Sequence, residues 1–501
     1  MGISSSTALE RVSRAMVHDI RRKIRSGAAR PVDVPVADPT LMLSLRKLLE
    51  SSGYIDLGPE SDGAEVPADS RLSMLVRMFG RGEVLDVDEA ASALAPLRVD
   101  YLVKAGFVRW KGKRVQPRVY IQTHRRLLFA APIDESEKEK TVMLVSPSSR
   151  ELEKAMVRRP SRNTLDLGTG CGVLALAAAG HSERVSAVDI NPRAIQFSEF
   201  NCQLNQIRNV TCLQGNCFEP VREEKFDLIV TNPPFVLSPA SRLMYRDSGR
   251  DGDAFCIDLA RDAARLLNVG GYFEMIFQWI QRAEGGWQDE LMRSFAGIGC
   301  DVWILRVEND SPDGHVQKWI KESDTKAQYS RWREYLTSRG AASVGTGFCI
   351  MKRITGRAPR IWFDEFPDEC SERYGEAIDR VFAIRERIEA QSDVEFLRER
   401  LLASPSLQLV QESRQKGGDW KIVVSELILD WGMKYSFGDV DAVLAELAGG
   451  CDGKRTLREV FEGVATAHQM ATENVISKKL AVVRDLARYG FLIPGSLASA
   501  N

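Results

Sequence analysis

Four short stretches of this chain hold residues whose types and spacing could do chemistry. In "LDLGTGCGVLAL", residues 165–176, Asp166 precedes a turn containing Gly168, Thr169, Gly170 and Gly172. Glycines let a backbone bend tightly and approach a ligand closely. The spacing is GxGxG, with Val173 where nicotinamide-binding turns carry a last Gly or Ala. An acid before the turn suits a cationic or amino-acid ligand better than a pyrophosphate. In "SAVDIN" the acidic Asp189 is followed by Ile190, and its two carboxylate oxygens could accept both hydroxyls of a ribose. "QGNCFEP" sets Asn216 and Cys217 where an amide could read an adenine edge. "NPPF", Asn232, Pro233, Pro234 and Phe235, closes the apolar run "FDLIVT". Proline cannot donate to a sheet ladder, so a strand there must stop at Asn232 and leave its polar groups for another use.

The elements that must position these residues follow from hydrophobic periodicity. From about 140 to 355, strand-like runs alternate with helical ones: "NTLDLGTG", "RVSAVDIN", "VTCLQGN", "FDLIVTN", "GYFEMIFQW", "DVWILRV" and "GFCIMKR". This predicts an α/β, doubly wound, mostly parallel sheet with its ligand beyond the carboxyl ends of the strands. With no crossover helix read between the last two strands, an antiparallel pair is expected at one edge. Around this domain, assigned to 136–356, the sequence predicts a basic helix and linker at 1–35 and a helical, winged-helix-like domain at 36–135. A linker at 357–380 and a second helical, winged-helix-like domain at 381–501 follow. Apolar residues at three- and four-residue steps mark the helices, and "FVRWKGKRVQPRVYIQ" reads as a β-hairpin turning at "KGKR". In the C-terminal domain Thr456 and Glu459 are spaced as a capping box, and Gly490 closes the last helix.

Composition narrows the class. The 501 residues include 68 Lys+Arg against 69 Asp+Glu, a net charge of −1, so no whole-chain field draws the protein to nucleic acid or membrane. Nine Cys without a CxxC pair and five scattered His give no disulfide framework or metal site. No apolar run approaches the roughly 20 residues of a membrane span, and a cytoplasmic location is expected. Positive charge is local, on Arg109, Lys111, Lys113, Arg114, Arg118, Arg125 and Arg126, which makes the hairpin region 107–126 a candidate nucleic-acid contact as well as an ordinary solvated face.

The glycine loop, the acid ending the second strand, the Asn after the third and NPPF after the fourth together resemble the class I S-adenosylmethionine-dependent methyltransferases. The resemblance implies S-adenosyl-L-methionine as cofactor, with Asp166, Gly168, Thr169, Gly170, Gly172, Asp189, Ile190, Asn216, Cys217 and Asn232 around it. NPP[FY] marks family members that act on nitrogens of planar systems. Such a nitrogen is a poor nucleophile because its lone pair is delocalised. Accepting its N–H bonds on the Asn232 side-chain oxygen and the Pro233 carbonyl would favour the developing positive charge, while Pro234 stiffens the turn and Phe235 stacks on the flat acceptor. No His or Lys base is needed, since the methylated nitrogen becomes acidic and loses its proton to water.

The stretch "YRDSGRDGDAFCIDLARDAARLLNVGGYFEMI" resembles the protein-(glutamine-N5) methyltransferases that modify translation release factors, with Gly249, Asp251, Gly252, Gly270, Gly271 and Glu274 at matching places. Three departures stand out: NPPF for the more usual NPPY, "YRDSG" where a Glu-Pro stretch is expected, and different flanking domains. Phe at that position is also common in ribosomal RNA guanine-N2 methyltransferases. Tyr245, Arg246 and Asp247 are candidates for the acceptor pocket or for a structural ion pair. The expected acceptor is thus macromolecular, protein or RNA, with a protein glutamine ahead of a ribosomal RNA guanine or adenine amino group. A small-molecule or peptide-tailoring role and a cofactor-sensing, nucleic-acid-binding role stay open.

Overall fold

The structure, a computed structural model, describes residues 34–36, 38–58, 67, 70–133, 141–239, 253–320 and 326–498. The basic helix expected near the N-terminus, and Tyr245, Arg246, Asp247, Gly249, Asp251 and Gly252, lie outside the described residues. The chain divides into two compact units: residues 1–153 with 158–366, and residues 154–157 with 367–501.

In the first unit, helices Pro39–Ser51 and Arg71–Leu75 precede a short strand β1 (Leu85–Asp86), helices Val87–Leu94 and Val99–Lys104, and the hairpin β2 (Val108–Lys111) and β3 (Arg114–Pro117). β3 lies between β1 and β2, antiparallel to both. The hairpin turns at Gly112, whose φ of 62° suits a residue without Cβ. A second hairpin, β4 (Val119–His124) and β5 (Leu127–Pro132), follows directly.

Helix Pro147–Ala155 then leads into β6 (Ser161–Leu167), helix Val173–Ala178, β7 (Ser182–Asp189), helix Pro192–Leu204, β8 (Val210–Gln214) and β9 (Phe226–Thr231). Helix Ala254–Leu266, β10 (Leu267–Arg282), helix Trp287–Phe295 and β11 (Cys300–Asp310) come next. Helices Pro312–Trp319 and Lys326–Ser338, β12 (Ala341–Arg353) and β13 (Ile361–Glu365) complete the unit. The eight strands β6–β13 form one sheet in the order β13-β11-β12-β10-β9-β6-β7-β8. β10, β9, β6, β7 and β8 run parallel, so their carboxyl ends share one edge. Both faces of the centre are covered. Leu228, Ile229 and Val230 of β9 are therefore consecutive and buried rather than alternating with polar residues.

The sheet departs from expectation in its last strands. The antiparallel element is β12, but it lies inside the sheet, paired with both β10 and β11. The edge is β13, parallel to β11, and it comes from residues 357–380, which were expected to be a linker. "IWFDE" is too short for its alternation to stand out between prolines, yet Trp303 Nε1 donates to Asp364 at 2.7 Å and fixes it against β11. Two helices also bridge β11 and β12 where none was expected. An antiparallel return does not require a crossover, but it does not forbid one.

The second unit contains helices Gly375–Glu389, Ala442–Gly450, Leu457–Ala467 and Thr472–Arg488 around a core that includes Leu447, Phe461, Leu486 and Phe491. The capping box forms: Thr456 N donates to Glu459 Oε2 at 2.7 Å, and Glu459 N to Thr456 Oγ1 at 3.3 Å. The unit is not simply helical, however. β14 (Leu401–Ala403) pairs with β18 (Leu492–Pro494), and β15 (Leu407–Lys416), β16 (Asp419–Asp430) and β17 (Lys434–Phe437) form a three-stranded antiparallel sheet. The turn between β15 and β16 is Gly417-Gly418, both with positive φ, a hairpin signal that outweighs the helical periodicity on either side.

The long pair β10–β12 is also tightly packed. Trp279, opposite Gly345, stacks on Trp287 with ring centroids 5.6 Å apart, and a Cβ at Gly345 would stand 2.3 Å from the Trp279 ring. Gly345→Ala should lower stability by about 1–3 kcal/mol. Thermal melting would show this as a reduced Tm, and an unchanged Tm would contradict the packing.

Candidate functional site

A cavity of about 320 Å³ opens at the carboxyl ends of β6, β7, β8 and β9. Of the residues singled out by sequence, Asp166, Gly168, Thr169, Gly170, Asp189, Ile190, Asn216, Cys217, Asn232, Pro233, Pro234 and Phe235 line it. Gly172 does not. It stands at φ 90° as the N-terminal cap of helix Val173–Ala178, where a Cβ would meet Ser198 Oγ at 2.8 Å. Its role is close packing behind the turn rather than contact with a ligand.

The turn is held from both sides. Gly168 N and Thr169 N donate to the Val188 carbonyl of β7 at 2.8 and 3.0 Å. Asp166 is buried and its Oδ2 accepts from Thr169 Oγ1 at 2.7 Å and Ala175 N at 2.9 Å, while its Oδ1 has no hydrogen-bond partner. Burial pushes its carboxyl up to about 7, against the lowering effect of those two bonds. Asp189 spends one lone pair of each oxygen locally: Oδ2 accepts from Gly170 N and Oδ1 from Asn191 N, each at 2.9 Å. Burial raises its pKa too, opposed by those backbone N–H bonds. Each oxygen keeps a further lone pair for a ligand hydroxyl. At Gly168 and Gly170 a Cβ would meet nothing within 4 Å. With open space there and an acid beside it whose Oδ1 has no partner among the described residues, the residues fit a ligand that brings a cation and a ribose.

Asn232 follows β9. Its Nδ2 lies 3.0 Å from Ser148 Oγ and 2.9 Å from Ser149 Oγ, with Ser146 Oγ at 3.5 Å, while its buried Oδ1 has no partner among the described residues. The backbone past the prolines finds its bonds off the sheet: Leu237 N donates to Gln278 Oε1 at 3.2 Å, and the Leu237 carbonyl accepts from His315 Nε2 at 3.0 Å. Phe235 meets Trp319 edge-on, with ring centroids 6.3 Å apart at 83°. Among the described residues, no His, Lys or Arg lines the cavity.

Sequence reading missed the wall contributed by Ser146, Ser148 and Ser149, the apolar side chains Phe255 and Leu259, and the ring of Trp319 behind Phe235. "SPSS" does signal a helix start, a Ser followed by Pro, but nothing local names its partner at Asn232. The helix carrying these serines is anchored by Glu153, whose carboxylate accepts from Arg125 Nε at 2.7 Å and from Arg158, with His124 at 3.4 Å. Burial works against ionisation of Glu153, but the bonds from His124 and Arg125 and the Arg158 charge outweigh it and bring the pKa to about 2. Arg126 pairs with Asp56. Arg125 is therefore held by a buried carboxylate, whereas Arg126 stays largely exposed in its pair with Asp56.

Residues 144–293 match the family model for the Methyltransferase small domain, and residues 379–494 match a Domain of unknown function (DUF7782). The release factor glutamine methyltransferase of Aliivibrio fischeri is 28% identical over 189 residues, covering 36% of this chain and 65% of the relative. That of Salmonella typhimurium is 31% identical over 190 residues, covering 34% and 65%, and that of Geobacter sulfurreducens 34% identical over 173 residues, covering 32% and 58%. The chain thus spans between 58 and 65% of the length of these curated relatives. Among solved structures, Trm5b from Pyrococcus abyssi is similar at 18% identity and a TM-score of 0.30, covering 50% of this chain and 62% of that one.

S-adenosylmethionine is cationic, so the ionised form of Asp166 should favour it. Affinity should rise as pH increases through about 7, where Asp166 loses its proton, and Asp166→Asn should flatten the profile. Calorimetric titrations across this range would check it, and a flat wild-type profile would contradict the placement of the cation.

Proposed function

With residues 144–293 a class I S-adenosylmethionine-dependent methyltransferase domain similar to those of protein-glutamine methyltransferases, we propose that this protein methylates a planar amide or amino nitrogen of a macromolecule, a protein glutamine side chain first. The observation that carries this reading is Asn232 Oδ1, a buried acceptor without a partner, in the cavity wall beside Phe235. Asp166 and the glycine turn would hold the amino-acid end of S-adenosylmethionine, Asp189 its ribose, and Ile190, Asn216 and Cys217 its base. When bound, that cofactor supplies an electrophilic methyl group. Asn232 Oδ1 would accept an N–H of the incoming amide, and Pro233, on the same wall, would offer its carbonyl to the other. Together they withdraw the nitrogen lone pair from conjugation and stabilise the positive charge that develops on it. Phe235, backed by Trp319, gives the flat group a face to stack on. Among the described residues, the lining provides none suited to general-base work at neutral pH other than Asp166 and Asp189, which face the cofactor end, so the product nitrogen would lose its proton to water. Asn is a neutral acceptor that fits either an amide or an exocyclic amine, and the relatives' glutamine specificity tilts the choice towards protein.

A second reading, a nucleic-acid base as acceptor, is favoured by the first hairpin. We read the order helix, β1, two helices, β2 and β3 as a winged-helix-like arrangement. Lys111, Lys113 and Arg114 are exposed at its tip with no carboxylate partner among the described residues, and Trp110 beside them is 44% exposed. Cations interleaved with an aromatic ring suit phosphates and unstacked bases.

Tritiated S-adenosylmethionine incubated with a cell extract and either wild type or Asn232→Ala would separate these readings. Label that requires Asn232 and is lost to protease is the expected result. Loss to nuclease would instead favour the second reading, and full transfer by Asn232→Ala would refute the role given to its amide. In the expected case the rate should drop by at least about a hundredfold, the usual cost of removing a group that stabilises developing charge.

A further inference from the structure

We propose that Ser148 and Ser149 are positioning residues that set which way the Asn232 amide points, and hence whether an acceptor oxygen or a second N–H donor faces the substrate. This rests on the reading of Asn232 given above and adds to it the device that makes Asn232 usable. An Asn side chain is nearly symmetric in shape, and a half-turn about its last bond exchanges oxygen and NH2. In the flipped state the cavity would present a donor to the acceptor's own N–H groups, which repels the substrate. The two states must therefore be separated by groups that touch the amide.

The serines supply that separation. Ser148 and Ser149 oxygens stand at 3.0 and 2.9 Å from Nδ2, one for each amide hydrogen. Both hydroxyls are also bonded to Ser146 Oγ, at 3.0 and 2.9 Å, and Ser146 Oγ accepts the backbone N–H of Ser149 at 3.1 Å. Ser146 Oγ, already holding that N–H, has one lone pair left, so it accepts the proton of one serine and gives its own to the other, and Ser148 and Ser149 each keep a lone pair for an amide hydrogen. Ser146 and Ser148 are 7% and 3% exposed, so water competes little for these bonds. The opposite atom, Oδ1, is the one that remains buried without a partner. Helix Pro147–Ala155 carries Ser148 and Ser149 on its first turn, with Ser146 just before it, and its far end is fixed by the Glu153, Arg125 and Arg158 cluster. The serines are thus held on a rigid element at the distance the amide needs.

The test uses the full chain with two readouts. With selective 15N labelling of asparagine, the side-chain NH2 pair of Asn232, identified by its loss in Asn232→Ala, should show slowed hydrogen exchange in the wild type. That protection should fall at least about tenfold in Ser148→Ala/Ser149→Ala, the scale of losing one or two hydrogen bonds. Label transfer from tritiated S-adenosylmethionine into extract should fall by at least about tenfold at saturating cofactor, with the half-saturating cofactor concentration within about twofold of wild type. Ser149→Thr, which keeps a hydroxyl, should restore the rate. In an Asn232→Ala background the serine changes should cost nothing further, since their effect passes through the amide. Wild-type transfer and unaltered amide exchange in the double variant would overturn the proposal. So would an equal loss in cofactor affinity with a lowered Tm, which marks a merely structural role. If Asn232→Ala itself transfers methyl normally, the underlying reading of Asn232 fails, and that outcome is distinct from a serine variant that stays active beside a dead Asn232→Ala.

Discussion

The site depends on one constraint: two prolines follow Asn232, so β9 cannot continue its ladder past Thr231. β9 is central, flanked by β6 and β10; β6 ends opposite Thr231, but β10 runs on, and an ordinary residue at 233 or 234 could have gone on pairing with it. Proline has no N–H to donate, so the chain leaves the sheet and the Asn232 amide is exposed to the cavity rather than packed between strands. The backbone of Leu237 is then bonded by side chains from other elements, Gln278 of β10 and His315 of the helix after β11. A strand end that must be free for chemistry is thereby compatible with a loop tied down a few residues further on.

The elements before the sheet are part of this support. Asn201, on helix Pro192–Leu204, and Asn205, which caps its C-terminus, bond to the backbone of β5 as a neighbouring strand would. Ala130 N and Leu128 N donate to their oxygens at 2.8 and 2.9 Å, and their Nδ2 atoms donate back to the Ala130 and Leu128 carbonyls at 3.1 and 2.7 Å. Asn201 Nδ2 also reaches the Cys171 carbonyl at 2.9 Å, inside the glycine turn. The same pair of side chains thus docks the β4–β5 hairpin and steadies the turn that lines the cavity. The hairpin's own turn, Arg125 and Arg126 at φ 46° and 62°, sends its first arginine to Glu153 and so to the serine-bearing helix.

What the sequence made legible was whatever local rules specify. Strands β6 to β9, the glycine turn and the residues at the strand ends could be read because burial on both faces leaves continuous apolar runs, and because Gly, Pro and Asp carry positional meaning. The Thr456–Glu459 capping box is likewise a three-residue pattern. Contacts made across long sequence separations were not legible. Ser149 reaches Asn232 over 83 residues and Asn201 reaches Ala130 over 71, and neither leaves a local periodicity. The basic run cannot be subdivided from sequence for the same reason. Composition counts Arg125 and Arg126 with Lys111 and Lys113, but only the fold shows that the first two are bound by Glu153 and Asp56. The β15–β16 hairpin and β13 were passed over because short strands beside helices and prolines carry a weak signal.

The central claim is that one cavity, formed by the ends of four parallel strands, holds S-adenosylmethionine with its ribose on Asp189 and leaves Asn232 for the acceptor. Titration calorimetry of S-adenosylmethionine into wild type, Asp189→Ala and Asn232→Ala tests it most directly. The account predicts one molecule bound per chain, affinity at least about tenfold weaker without the Asp189 carboxylate, and affinity within about twofold of wild type without the Asn232 amide. Wild-type affinity in Asp189→Ala, or loss of binding in Asn232→Ala alone, would contradict it.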